Sequence, residues 1–133
     1  MKFGTTISLI LALNLALPTP TASVPMTEKM RLSVLQPKDY AAYKAKKVYK
    51  WGEQQHKCLR ILWGKESAWN YQSKSPTHDY GIPQRHMSKN TKSEIIDFLK
   101  SPHNQIDWGL RYISIRYKSP CAAWRFHLKN NWY

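Results

Sequence analysis

Three helix starts follow one another closely in the second half of the chain, and they restrict it to a helical fold. Thr91-Lys92-Ser93-Glu94 has the form of a capping box, in which hydroxyl and carboxylate each satisfy a backbone N–H that the helix leaves unpaired. Ser101-Pro102 and Ser119-Pro120 each put a capping hydroxyl before a proline, whose fixed φ suits the first helical position. An apolar stripe at helical spacing follows each start: Ile95, Ile96 and Leu99, then Ile106, Leu110, Ile113 and Tyr117, then Cys121, Trp124 and Leu128. Helices are therefore predicted over 92–99, 102–117 and 120–129, with these side chains facing inward.

An earlier helix, over 53–66, carries the residue that points to chemistry. Leu59, Leu62 and Glu66 fall at i, i+3 and i+7 on one face, so Glu66 continues a stripe that otherwise enters a core. Desolvation there favours the neutral carboxyl, which can hold a proton near neutral pH and donate it, as glycosidic-bond cleavage requires of a general acid. The alternative is a frayed helix end that turns Glu66 into water. Gly109 sits mid-helix, where glycine costs about 1 kcal/mol against alanine. Close approach of another backbone, that of the Glu66 helix, would offset this loss, and Tyr112, one turn on, could bring its hydroxyl to the carboxylate. An ordinary tyrosine at the core margin is the competing reading.

Residues 70–90 are polar and broken by Pro76, Gly81 and Pro83, which reads as the irregular wall of a cleft with two short antiparallel strands permitted. Three ordered motifs then stand out: Glu66-Ser67, Tyr80-Gly81-Ile82-Pro83-Gln84, and Gln105-Ile106-Asp107-Trp108-Gly109-Leu110-Arg111-Tyr112-Ile113. Together they resemble the lytic transglycosylase branch of the lysozyme superfamily. That family pairs Glu-Ser at a helix end with a Gly-Leu-Met-Gln-like turn and a helix reading Asn-Ile-x-x-Gly-x-x-Tyr-Leu. Gly81 and Gln84 match the turn, Ile82 and Pro83 replace its middle, and Gln105 stands for the asparagine. Small secreted transglycosylase-like domains share the ending, with Ser-Pro-Cys-x-x-Trp over Ser119 to Trp124 and the aromatic pair Trp132-Tyr133. The resemblance covers roughly residues 51–133.

The resemblance implies a mainly α, lysozyme-like (goose-type) helical domain with a loop-rich cleft and at most a minimal β-hairpin. It implies cleavage of the β-1,4 bond between N-acetylmuramic acid and N-acetylglucosamine, with Glu66 as acid and then base and a 1,6-anhydro product. Ser67, Tyr80, Gln84 and Tyr112 are then expected to bind substrate or orient the acid, with Tyr80 and Trp69 stacking on sugar faces. A hydrolytic muramidase, or a wall-binding protein with little turnover, is the alternative. Most glycosidases use two carboxylates. Glu94 looks committed to its cap and Asp97 and Asp107 to solvent faces, which leaves Asp79, beside the turn, as the one credible partner. His56, His78, His86, His103 and His127 lack the spacing of a zinc site, so neither metal nor cofactor is expected; His78 and His86 flank the cleft, where they could touch anionic or sugar groups but read better as exposed loop residues.

The ends and the charge bound the setting. Lys2 precedes an apolar run over 7–17 interrupted by Asn14, then Pro18, Pro20 and small residues. This is the layout of a secretory signal over 1–22, too short to span a bilayer comfortably, and it predicts an exported protein of the periplasm or medium. In that compartment the two cysteines, Cys58 and Cys121, are expected to form one disulfide, with two buried free thiols as the alternative. The net charge is +13, and since 1–22 contributes only Lys2, residues 23–133 carry +12. Glycan strands and anionic envelope polymers are the expected partners of a monomer, and nucleic acid is not. Residues 23–36 read as a flexible lead-in. Residues 37–50 read as a basic peripheral helix or tether, whose Tyr40, Tyr43, Tyr49 and Trp51 alternate with lysines as a nucleic-acid stacking surface would.

Overall fold

The computed structural model describes residues 25–133, so the expected signal over 1–22 lies outside the described residues. The chain runs α1 (Glu28–Ser33), α2 (Pro37–Lys47), α3 (Glu53–Ser67), β1 (Asp79–Tyr80), β2 (Arg85–His86), α4 (Lys92–Lys100), α5 (Pro102–Tyr117) and α6 (Pro120–Asn130). It is mainly α, with one antiparallel hairpin in which Asp79 faces His86 and Tyr80 faces Arg85.

The local start signals are realised as hydrogen bonds. Thr91 Oγ1 accepts from the Glu94 amide while Glu94 accepts from that of Thr91, and the Ser101 and Ser119 hydroxyls accept from the amides of Asn104 and Ala122. Leu59, Leu62, Trp63, Ile106, Leu110, Ile113 and Ala123 are fully buried in a core where α3 lies on α6 and α5 packs against α2 and α6. The Cys58–Cys121 disulfide joins α3 to the start of α6.

Several expected faces turn out differently. On α4, Phe98 is buried and Ile96 is largely exposed, because Ile95, Phe98 and Leu99 share a face that Ile96 leaves by one helical step. On α6, Leu128 is exposed and His127 is buried, in line with Pro120 and Ala123 at i, i+3 and i+7.

The segment 37–50 is neither tether nor peripheral helix. Tyr40, Ala41 and Ala45 of α2 are buried, so the domain begins well before residue 51. The Tyr40 hydroxyl donates to Asp107 at 2.9 Å and its ring stacks on His103, while Lys44 pairs with the same carboxylate at 3.1 Å. Asp107 therefore anchors α2 to α5 while its side chain stays 41% exposed, at the solvent margin where it was expected. Tyr49 and Trp51 stack on each other against the core, so these aromatics are not an open surface for bases. Residues 28–33 of the expected lead-in form the short helix α1, capped by Thr27.

Candidate active site

The hairpin turn is seated against α3 and α5 by buried polar contacts. Ile82 is fully buried, and its two backbone polar groups are both satisfied: the amide donates to Gln105 Oε1 at 2.8 Å, and the carbonyl accepts from Ser67 Oγ at 2.8 Å. The Gln105 Nε2 donates in turn to the carbonyls of Phe98 and Tyr71. Gly81 has φ +75° and a Cβ there would stand 2.4 Å from Gln105 Oε1, so only glycine admits this contact. Gly109 likewise makes room, though for side chains and not for a backbone: a Cβ would meet Trp63 Cζ2 at 2.6 Å and Pro83 Cβ at 2.9 Å. The Trp63 indole N–H donates to the Tyr133 hydroxyl at 2.7 Å, and that hydroxyl donates to the Pro83 carbonyl at 2.9 Å.

These contacts leave a cavity of about 570 Å³ between the end of α3, the hairpin, α5 and the C-terminal residues. Glu66, Asp79, Gln84, Trp108, Tyr112 and Arg116 line it, together with His86, Trp132 and Tyr133. Glu66 is mostly buried at the last turn of α3, its side chain 15% exposed. Burial pushes its carboxyl up to about 7, and the negative charge of Asp79 adds to the effect. Its Oε1 lies 2.8 Å from Nε2 of His127, itself 8% exposed. Burial pushes the His127 imidazole down, and Lys65 adds to that shift. Both displacements disfavour the charged forms, and the approach is not a hydrogen bond: Glu66 Oε1 is a buried atom without a hydrogen-bond partner among the described residues.

Asp79 behaves oppositely. It accepts from the hydroxyls of Ser75 and Thr77 and contacts His86 Nδ1 at 3.0 Å. These hydrogen bonds outweigh its partial burial and hold its carboxyl below the ordinary value. One cavity thus contains a carboxyl that keeps its proton near neutrality and a carboxylate that does not.

The expected site residues divide accordingly. Glu66, Gln84 and Tyr112 line the cavity, and Ser67 reaches it through the turn it holds. Tyr112 stacks on Trp108 at 5.1 Å and makes no hydrogen bond to Glu66; the polar atom 2.8 Å from the Glu66 carboxyl is His127 Nε2. Tyr80 lies in the hairpin outside the lining. Trp69 packs edge-on against Trp63 and its indole donates to the Arg60 carbonyl, on a different face of α3. Asp79 lines the same cavity as Glu66. His127 and Arg116 were not anticipated. The stripe Pro120, Ala123, His127 carried the signal for His127, and nothing in the local sequence marked Arg116, whose guanidinium lies over the Tyr112, Tyr117 and Trp132 rings. Among the described residues no group of three or more histidine, cysteine or acidic side chains is placed to hold a metal ion. Compared with protein-family models, with curated proteins and with solved structures, the chain matches none.

Proposed function

We propose that the protein is an exported peptidoglycan lytic transglycosylase, a small lysozyme-like domain that cleaves the β-1,4 bond between N-acetylmuramic acid and N-acetylglucosamine with Glu66 as acid and base. The observation that carries this reading is the buried Glu66 carboxyl, pushed up to about 7 at the wall of a cavity large enough for sugar rings. A second support is that the three motifs of the resemblance meet at one point, since Ser67 and Gln105 both bind Ile82 of the turn.

The Glu66 carboxyl gives its proton to the bridging oxygen as the C1–O bond breaks, and the bond's electrons leave with that oxygen. The substrate's own 2-acetamido oxygen closes on C1 and holds the cationic centre. The C6 hydroxyl oxygen then displaces it at C1 while its proton passes to the Glu66 carboxylate. The acid is regenerated, no water is consumed, and the product is the 1,6-anhydro sugar. The Gln84 Nε2 donates to the Gly81 carbonyl at 2.9 Å, which leaves its Oε1 to accept from a sugar N–H or hydroxyl. Trp108 and Tyr112, both in the lining, supply aromatic surface for the sugar rings to contact.

Asp79 favours a second reading, a hydrolytic muramidase in which this ionised carboxylate supports attack by water. Both of its oxygens are already engaged by Ser75, Thr77 and His86, which suits a fixed charge better than a base. Mass spectrometry of products from purified sacculi separates the two. Anhydro-muropeptides from wild type, lost about 100-fold or more in Glu66→Gln, support the transglycosylase. Reducing-end muramic products that disappear in Asp79→Asn support the muramidase. Absence of any Glu66-dependent product from folded protein overturns both.

A further inference from the structure

We propose that Arg116 is a specificity-determining residue that binds a carboxylate of the glycan strand, and so favours muramic strands bearing an acid over neutral ones. The inference rests on the reading of this cavity as the glycan site, and it names the charge that the site selects. Trp108, Tyr112 and Arg116 stand at i, i+4 and i+8 on α5, and all three line the cavity. This face is about 12 Å long at the helical rise, the length of a pair of linked sugar rings. It begins at Trp108, whose ring lies 5.0 Å from the Arg85 guanidinium of the hairpin, and ends at Arg116 against Trp132. A strand lying on the two aromatic side chains brings its substituents to the Arg116 guanidinium.

Among the described residues, no acid of the protein claims this guanidinium. The ion pairs draw on Lys44, Lys100, His86 and His127, and not on Arg116. Arg116 is the one lysine or arginine in the cavity lining, and Asp79 of the same lining is engaged by Ser75, Thr77 and His86. The guanidinium is held instead over the rings of Tyr112, Tyr117 and Trp132, at 5.8, 5.6 and 5.1 Å from their centroids. Those contacts fix its place through its charge and leave its N–H fork for oxygen acceptors. The buried Tyr117 hydroxyl takes none of these donors, since it has no hydrogen-bond partner. N-acetylglucosamine is uncharged. N-acetylmuramic acid adds a lactyl ether, whose carboxyl is free where the peptide stem has been removed; an attached stem brings carboxylates of its own. A planar carboxylate meets the guanidinium through two parallel N–H···O bonds, which a neutral amide in its place does not offer.

The test is calorimetric binding of three glycans of equal length to the disulfide-bonded Glu66→Gln protein, in which turnover is suppressed. Their muramic residues carry the free lactyl acid, the lactyl acid extended by L-alanyl-D-glutamate, or the lactyl methylamide. At least one acid-bearing glycan is expected to bind about tenfold more tightly than the methylamide, and the tighter of the two identifies the source of the carboxylate. Adding Arg116→Gln should abolish that gap while the methylamide affinity stays within about twofold, and Arg116→Lys, a charge without the fork, should restore part of it. A role in ring packing alone would weaken all three glycans equally and leave the gap. The Arg116 Nε–H resonance gives a second readout that needs no Arg116 variant to fold, and it should shift with the acidic glycan and not with the methylamide. Equal affinities for acidic and neutral glycans, a gap that survives Arg116→Gln, or an unmoved resonance overturns the proposal; cleavage of sacculi by wild type would then still uphold Glu66. An Arg116-dependent gap in a protein that releases no glycan product supports the carboxylate site and removes the enzyme reading alone.

Discussion

Ser67 and Gln105, from two different helices, hold the two backbone polar groups of the same buried residue, Ile82. The turn beside Glu66 is thereby fixed from both sides. An apolar replacement at either position strands a buried group whose desolvation is uncompensated, at about 1–3 kcal/mol each. Ser67→Ala strands the Ile82 carbonyl and is expected to cost about 1 kcal/mol. Gln105→Leu strands the Ile82 amide and the Phe98 and Tyr71 carbonyls together and should cost several times more. Urea unfolding of both single variants and the double variant checks this. Because both bonds serve one residue, the double variant should lose less than the sum of the two.

Gly64 and Gly109 make a matched pair with opposite expected signs. Both lie inside helices, where alanine is favoured over glycine by about 1 kcal/mol. A Cβ at Gly64 meets nothing within 4 Å, so Gly64→Ala should stabilise by about that amount and raise the melting temperature by about 4 °C. A Cβ at Gly109 would lie 2.6 Å from the Trp63 ring and 2.9 Å from Pro83. Gly109→Ala must displace a fully buried indole that is hydrogen-bonded to Tyr133, and it should destabilise by about 1–3 kcal/mol despite the better helix propensity. Calorimetry of the two variants decides the signs.

The Glu66 carboxyl also sets a pH dependence of stability. Its folded value of about 7 stands above the ordinary 4.5, so between these limits the folded state holds more protons than the unfolded one. The unfolding free energy therefore falls as pH rises through this window, by on the order of 3 kcal/mol in all. His127 acts in the reverse sense below pH 6.5, because its lowered value makes the unfolded state the one that binds protons there. The two slopes oppose each other in wild type. Glu66→Gln removes the first, so its stability relative to wild type should grow from about pH 4.5 and level off above about pH 7. Urea midpoints across that range test it, and a difference that stays flat would mean that Glu66 is ionised throughout.

Much of the helical architecture was legible because its determinants are local. Thr91, Ser101 and Ser119 cap within three residues of themselves, and the α5 stripe needs only its own spacing. The placement of α2 was harder to read. Its buried face consists of Tyr40, Ala41 and Ala45, two of them too small to stand out among so many lysines, and its anchor is Asp107 from a distant part of the chain. Glu66 was found because a carboxylate breaks an apolar stripe. His127 was missed because a histidine in a stripe is judged by what faces it, and Glu66 is 61 residues away in sequence. Tyr112 was assigned to Glu66 for want of knowing that Trp108 would take its ring.

Reduction of the Cys58–Cys121 disulfide should separate stability from site geometry. The bridge closes a segment with a sequence separation of 63, which in the chain-entropy view stabilises by about 4 kcal/mol through the unfolded state. The folded contacts between α3 and α6 do not depend on the sulfurs alone. The Cys121 amide donates to Gln55 Oε1 at 2.9 Å, and Leu59, Leu62 and Ala123 remain in the shared core. The Cys58→Ser, Cys121→Ser double variant is therefore expected to melt about 15 °C or more below wild type while keeping the Glu66 titration midpoint near 7 at a temperature where it is folded. Near-ultraviolet circular dichroism follows the folded state and carboxyl NMR follows the site. A midpoint that drops towards 4.5 in folded double variant would show that the bridge shapes the native site directly, by holding α3 close enough to α6 to keep water away from Glu66.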